Sequence, residues 1–215
     1  ARLDPETRAV LEAAVIAVED VGKAASRPDE LMVFGNGCYS AGRYDDAAEA
    51  FLTILNDDPS MADARFNLGL TYLRLRSPED AVREFTNLLV QKPWLAEAFY
   101  QRGNGNDDLG NMDQALADYT RAIELAPDYV HAMYNRGILL AQAARHQEAV
   151  AQFDKVIAIA PEISNCYLNR GASLDELGLH AEAINSYTRA TDLNPENSFA
   201  LFNRARTNYY LGNLH

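Results

Sequence analysis

Cysteine is nearly missing from this sequence: Cys38 and Cys166 are the only two in 215 residues. They stand far apart in dissimilar surroundings, so they make neither a disulfide framework nor a CxxC metal pair, and a reducing compartment, the cytoplasm, is expected. No apolar run approaches the roughly 18 residues that a membrane helix needs, so no membrane insertion is expected. Positive charge is scarce too: 19 Lys and Arg against 31 Asp and Glu leave a net charge of −12. That balance opposes nucleic acid, which is bound through Lys and Arg that displace counterions from phosphates. It favours a protein or peptide partner with basic residues. The four histidines, His131, His146, His180 and His215, cluster neither with a nucleophile nor at metal-ligand spacing, and no Gly-rich phosphate loop links a strand to a helix. The chain therefore reads as no enzyme, with no catalytic residue, metal or cofactor expected.

Prolines are few, 8 in all, yet five of them keep a beat: Pro59, Pro93, Pro127, Pro161 and Pro195, each 34 residues after the last. The same interval separates the small residues Gly35, Gly69, Gly103, Gly137, Gly171 and Ala205. It also separates Ala47, Ala81, Ala115, Ala149 and Ala183, and the aromatics Phe51, Phe85, Tyr119, Phe153 and Tyr187. A fixed period of this length marks an array of stacked repeats. Residues 1–27 lie outside the beat and read as a leading, capping helix that starts at Asp4-Pro5-Glu6. From Pro28 the units run 28–61, 62–95, 96–129, 130–163 and 164–197, with a partial unit 198–215. Each has one grammar: a first helix with the small residue, a turn, and a second helix with the alanine and the aromatic. Glycine closes the first helix at Gly42, Gly110 and Gly178, and Asp or Ser77-Pro78-Glu79 is expected to cap the second. The recurring proline then stops that second helix. No hairpin can bury its apolar faces alone, so neighbours must stack.

The pattern Phe99, Gly103, Ala115, Tyr119, Ala122, Pro127, with its companions in the other units, resembles the tetratricopeptide repeat. The resemblance covers roughly residues 28 to 215. Arg102-Gly103, Arg136-Gly137 and Arg170-Gly171 carry an Arg-Gly variant in which the arginine must point outward or find a carbonyl or carboxylate. The resemblance implies an all-α fold, a right-handed α-solenoid whose first helices line a concave groove for a peptide or a partner helix. It places an amide ladder in that groove: Asn67, Gln101, Asn135, Asn169 and Asn203, with Val33 in the first unit. Beside it runs a stripe of Phe66, Tyr100, Tyr134 and Phe202, with Met32 and Leu168 at the remaining places. Side-chain amides can donate to and accept from an extended backbone, and aromatics carry much of the affinity at interface centres; common usage and packing between units explain both equally. The groove places hold Asp29, Asp63, Glu97, Asp107, Asp108, Asp175 and Glu176 against Arg74 and Arg206, which points to a basic ligand. A carboxylate clamp is disfavoured, since Met32 and Asp29 stand where basic residues would help.

Unit three departs from its siblings at Gly103-Asn104-Gly105-Asn106-Asp107-Asp108. Gly105 weakens a helix, and Asn106 stands where Tyr72, Leu140 and Leu174 are apolar. Asn104, Asp107 and Asp108 share a helical face and would hold a basic side chain or a hard cation, or the run is sequence drift. The partial last unit presents Phe199, Phe202, Tyr209 and Tyr210 and then the turn Gly212-Asn213-Leu214. An aromatic end suggests either that the natural chain continues past His215 or that this end docks, for instance by self-association. The functional expectation is a non-catalytic scaffold or adaptor; the alternatives are the partner-binding arm of a longer enzyme and a self-assembling platform.

Overall fold

The computed structural model describes residues 28–212, so the expected leading helix and the end of the last turn, Asn213 and Leu214, lie outside the described residues. The chain divides into two compact units that meet between Asn111 and Met112. The first unit contains α1 (Pro28–Ser40), α2 (Tyr44–Asp57), α3 (Ala62–Arg74), α4 (Pro78–Gln91) and α5 (Ala96–Asp108). The second contains α6 (Met112–Leu125), α7 (Val130–Gln142), α8 (His146–Ile159), α9 (Ser164–Glu176), α10 (His180–Leu193) and α11 (Ser198–Tyr210). The described residues contain no strand. Within each unit every helix packs on the next one in the chain, and alternate helices α1, α3 and α5 also touch. This is the all-α solenoid arrangement of stacked helix hairpins.

The small residue and the aromatic are two halves of one contact. A Cβ placed on Gly35 would stand 2.6 Å from the Phe51 ring, and one on Gly69 would stand 2.7 Å from Phe85. Gly137 against Phe153, at 2.7 Å, and Gly171 against Tyr187, at 2.6 Å, repeat the arrangement in the second unit. The rings of Phe51, Phe85, Phe153 and Tyr187 are fully buried, so the backbone of each first helix is the floor on which the ring of the second rests. Around these contacts lie the apolar cores: Leu31, Ile54 and Leu68 in one cluster and Leu88 and Leu89 in another within the first unit, and Met133, Leu140 and Val156 in the second.

Helix ends follow the same period. The second helices stop at Asp57, Gln91, Leu125, Ile159 and Leu193, each two residues before a beat proline, as the missing N–H requires. Gly42, Gly110 and Gly178 adopt left-handed φ of +79°, +74° and +76°. In the second and fourth repeats the equivalent left-handed residues are Arg76 at φ 60° and Ala144 at φ 57°. The backbone geometry is therefore kept where the glycine is not. The N–H of the following residue closes each turn on a carbonyl five residues back, as in Arg43 to Cys38 at 2.8 Å and Arg145 to Leu140 at 2.9 Å, which satisfies carbonyls at the helix end. The expected side-chain caps are corrected here. Ser77 and Arg43 precede α4 and α2 without capping them through their side chains. The acids sit within the first turn, at Asp45, Asp46, Glu79 and Asp80, where they favour the helix through its dipole. Asn197 does cap, accepting from Ala200 N at 3.1 Å.

Candidate functional site

In the first unit, α1, α3 and α5 border a cavity of about 700 Å³. Its apolar lining is Met32, Met61, Phe66 and Leu95, and its rim carries Asp29, Asp63 and Glu97, one acid in the first turn of each of the three helices. Lys92 reaches Asp63 at 3.6 Å, leaving an acidic excess at that rim. Phe66 is half-buried and meets Phe85 edge-on, 5.7 Å between centroids, so this member of the aromatic stripe both packs the repeat and lines the cavity. Asn36 and Asn67 cross the cavity as a pair: Asn67 Nδ2 donates to Asn36 Oδ1 at 2.8 Å and grazes Met32 Sδ at 3.7 Å. Among the described residues nothing donates to Asn67 Oδ1 and nothing accepts from Asn36 Nδ2. The pair therefore presents one acceptor and one donor, the complement of a single peptide unit.

On α5 the amides run in series. Asn104 Nδ2 donates to Gln101 Oε1 at 3.0 Å, and Gln101 Nε2 donates to Glu97 Oε1 at 2.7 Å. Tyr100 is half-buried beside them. Asp107 and Asp108 are exposed at the end of this helix, and partial burial together with the Asp108 charge lifts the Asp107 carboxyl above its usual range. The irregular run has a packing reason. A Cβ on Gly105 would lie 2.9 Å from Val82 Cγ2, so the glycine lets α5 close on α4. Asn106 is buried, and its Oδ1 accepts from Asn111 Nδ2 at 3.4 Å.

Sequence reasoning placed Arg74 among the groove residues but missed Arg76 near it. A second cavity, about 620 Å³, is lined by Tyr39, Tyr44, Arg74, Arg76, Gln101 and Asn104 among others. Arg74 Nε donates to Tyr39 OH at 3.1 Å, and Tyr39 meets Tyr44 edge-on at 5.5 Å. The first unit thus carries two arginines near the end of α3, besides the acids at the starts of α1, α3 and α5 and at the end of α5. Arg76 escaped notice because its place is a turn position in the repeat, where its backbone is left-handed.

In the second unit, Asn169 Nδ2 donates to Tyr134 OH at 3.0 Å, joining the amide ladder to the aromatic stripe. Asn135 and Asn203 are half-buried on α7 and α11, and Glu176 is exposed. A cavity of about 430 Å³ brings Asn169, Glu176 and Arg206 together with His146. Asp175 does not offer its charge as expected: its side chain is only 9% exposed. Tyr187 OH and Thr207 Oγ1 donate to Oδ2 at 2.9 and 2.6 Å, and His180 Nδ1 lies 3.0 Å from Oδ1. The carboxylate ties α9, α10 and α11 together; a two-oxygen acceptor surrounded by three donors has little left for a ligand. Burial and this hydrogen bond push the Tyr187 phenol well above its usual range. Phe202 stands open on α11 with Phe199, Tyr209 and Tyr210, each between 64% and 73% exposed.

Cys38 and Cys166 are buried and form no disulfide, and burial pushes the Cys166 thiol up to about 12. Among the described residues no group of three or more His, Cys, Asp or Glu gathers to hold a metal ion, and no helix is long and apolar enough to cross a membrane.

Hairpins of this length, with a glycine floor under a buried ring and a proline stop, define a helical-repeat protein. Tetratricopeptide repeat models match residues 34–93, 100–162 and 164–197, and the chain belongs to the tetratricopeptide repeat family. Among solved structures it is similar to MamA, at 26% identity and a TM-score of 0.74 over 80% of this chain and 93% of that one. It is also similar to YrrB, a TPR protein with an unusual peptide-binding site, at 24% identity and 0.73 over 89% and 97%. A tetratricopeptide repeat protein from Parabacteroides merdae aligns at 20% identity and 0.76 over 86% and 73%. Among curated proteins no relative matches.

Proposed function

We propose that the chain is a non-catalytic adaptor that holds an extended protein segment, carrying basic residues, along the α1, α3 and α5 side of its first unit. One observation carries this reading: a single cavity combines an apolar floor, an acid at the start of each bordering helix, and the Asn36–Asn67 pair with one free donor and one free acceptor. The apolar floor supplies affinity, the amide pair reads backbone regardless of sequence, and the acids select Lys or Arg. Gln101 and Tyr100 extend the track on α5, where the exposed Asp107 and Asp108 add to its negative charge. In the second unit, Asn135, Asn169 and Asn203 with Tyr134, Phe202 and Glu176 offer a further stretch of the same chemistry.

A randomised peptide library panned on the whole chain tests this. Enrichment in Lys and Arg is expected, with affinities that fall as salt rises. Salt-independent binding, or binding unchanged by Asp29→Asn with Asp63→Asn, refutes the basic ligand. Undiminished binding in Asn36→Ala with Asn67→Ala refutes backbone reading by the first unit, and the Asn135→Ala with Asn169→Ala variant asks the same of the second. The open aromatics of α11 favour a second reading, self-association through that helix. Light scattering over a concentration series decides it: a monomer at every concentration, or a dimer indifferent to Phe199→Ser with Phe202→Ser, rejects it.

A further inference from the structure

Two of the Arg-Gly arginines, Arg136 and Arg170, bridge neighbouring second helices in the same way. Arg170 spans two second helices: Nε donates to Asp154 Oδ1 at 2.7 Å and Nη1 to Ser186 Oγ at 2.7 Å. Arg136, one repeat earlier, repeats the geometry with different chemistry. Its Nε donates to Thr120 Oγ1 at 2.9 Å and its Nη1 to Gln152 Oε1 at 2.6 Å. Thr120 stands where the later repeat has Asp154, so among the described residues the half-buried Arg136 touches no carboxylate. Burial lowers its pKa, Glu148 opposes this and Arg145 adds to it. Gln152, 3% exposed, gives its oxygen to Arg136, while its Nε2 has no partner among the described residues.

Arg136 opens onto a cavity of about 420 Å³ that Arg121 and Arg145 also line, with Thr120, Glu124 and Leu140. Arg121 is held by Glu124 at 2.8 Å and Arg145 by Glu148 at 2.7 Å through both of its contacts. Both pairs are well exposed, and such pairs are weak enough to yield to a better acceptor. In a chain of net charge −12, three guanidinium groups around one pocket stand out. We infer that this pocket of the second unit binds a phosphoryl group, with Arg136 as the fixed donor and Arg121 and Arg145 swinging in from their glutamates. A tetrahedral dianion offers three or four oxygens to three guanidinium forks, more than the two a carboxylate has. The group is either free phosphate or a phosphorylated side chain of a partner.

The test titrates the whole chain with inorganic phosphate and, separately, with a short phosphothreonine peptide and its unphosphorylated form, following the Arg Nε–H signals by NMR at constant ionic strength. The expected result is a saturable shift of the Arg136 signal across the millimolar range. Affinity should fall at least tenfold in Arg121→Gln with Arg145→Gln, which leaves the Arg136 bonds in place, and stay unchanged in Arg170→Gln. Tighter binding of the phosphopeptide than of phosphate identifies a partner's modified residue as the source; equal binding identifies free phosphate. No saturable shift with either probe overturns the inference, as does an equal shift with chloride or with the unphosphorylated peptide. Equal weakening by Arg170→Gln overturns it too.

Discussion

Gly69→Ala and Gly37→Ala make the same chemical change inside two helices of one unit, and the structure assigns them opposite signs. Each adds a methyl and gains up to about 1 kcal/mol of helix propensity. Among the described residues the new Cβ at Gly37 meets nothing within 4 Å, so the gain stands alone. At Gly69 it would lie 2.7 Å from Phe85 Cζ and 2.9 Å from Cε1, well inside ordinary carbon contact. Phe85 cannot withdraw, because it is fully buried and braced edge-on by Phe66. Relief requires α3 and α4 to separate, and overpacking of this kind costs about 1–3 kcal/mol. Since the propensity gain is common to both variants, the difference between them isolates the packing penalty, expected at about 1–3 kcal/mol. Urea unfolding followed by far-UV circular dichroism measures it, with Gly37→Ala moving the midpoint up. A Gly69→Ala variant as stable as Gly37→Ala would refute the argument that the glycine exists to seat the ring.

Three further outcomes follow from the geometry. Ala144→Gly should stabilise the chain by up to about 1 kcal/mol, because φ at 57° strains an L side chain; an unchanged or lower urea midpoint contradicts it. Asp175→Asn keeps the shape but leaves one neutral acceptor oxygen for Tyr187 and Thr207 and turns an amide N–H toward His180, a loss of about 1–3 kcal/mol, and amide exchange on α11 should rise more than on α7. The Cys166 thiol and the Tyr187 phenol are both raised in the folded state, so the stability they contribute is complete below their unfolded values. It declines as pH climbs from about 9 through 12 for the thiol, which alkaline unfolding curves of wild type and Cys166→Ala would separate.

Much of the fold is legible in one dimension because a solenoid contact is local. Gly137 meets Phe153 within one hairpin, so both halves of the contact recur at the repeat interval. Pro161 acts on the helix just before it. The positive-φ turns are half visible: Gly42, Gly110 and Gly178 announce them, whereas Arg76 and Ala144 do not, since the turn's hydrogen bonds hold the backbone whatever the side chain. The acids show the limit most plainly. Asp63 and Asp175 look alike as groove carboxylates, yet one stands on a rim and the other is enclosed by Tyr187, Thr207 and His180. His180 and Tyr187 come from the next helix, and Thr207 comes from the next repeat.

By itself the sequence determined the period, the helix hairpins and their stops, all consequences of short-range sterics repeated down the chain, while the seating of each ring on the glycine of its own hairpin came from the structure. Only the tertiary structure decided which polar side chains remain available. That depends on the groups neighbouring helices bring up: a free donor and acceptor at Asn36 and Asn67, a spent carboxylate at Asp175, and an arginine at position 136 that meets a threonine where the next repeat supplies an aspartate.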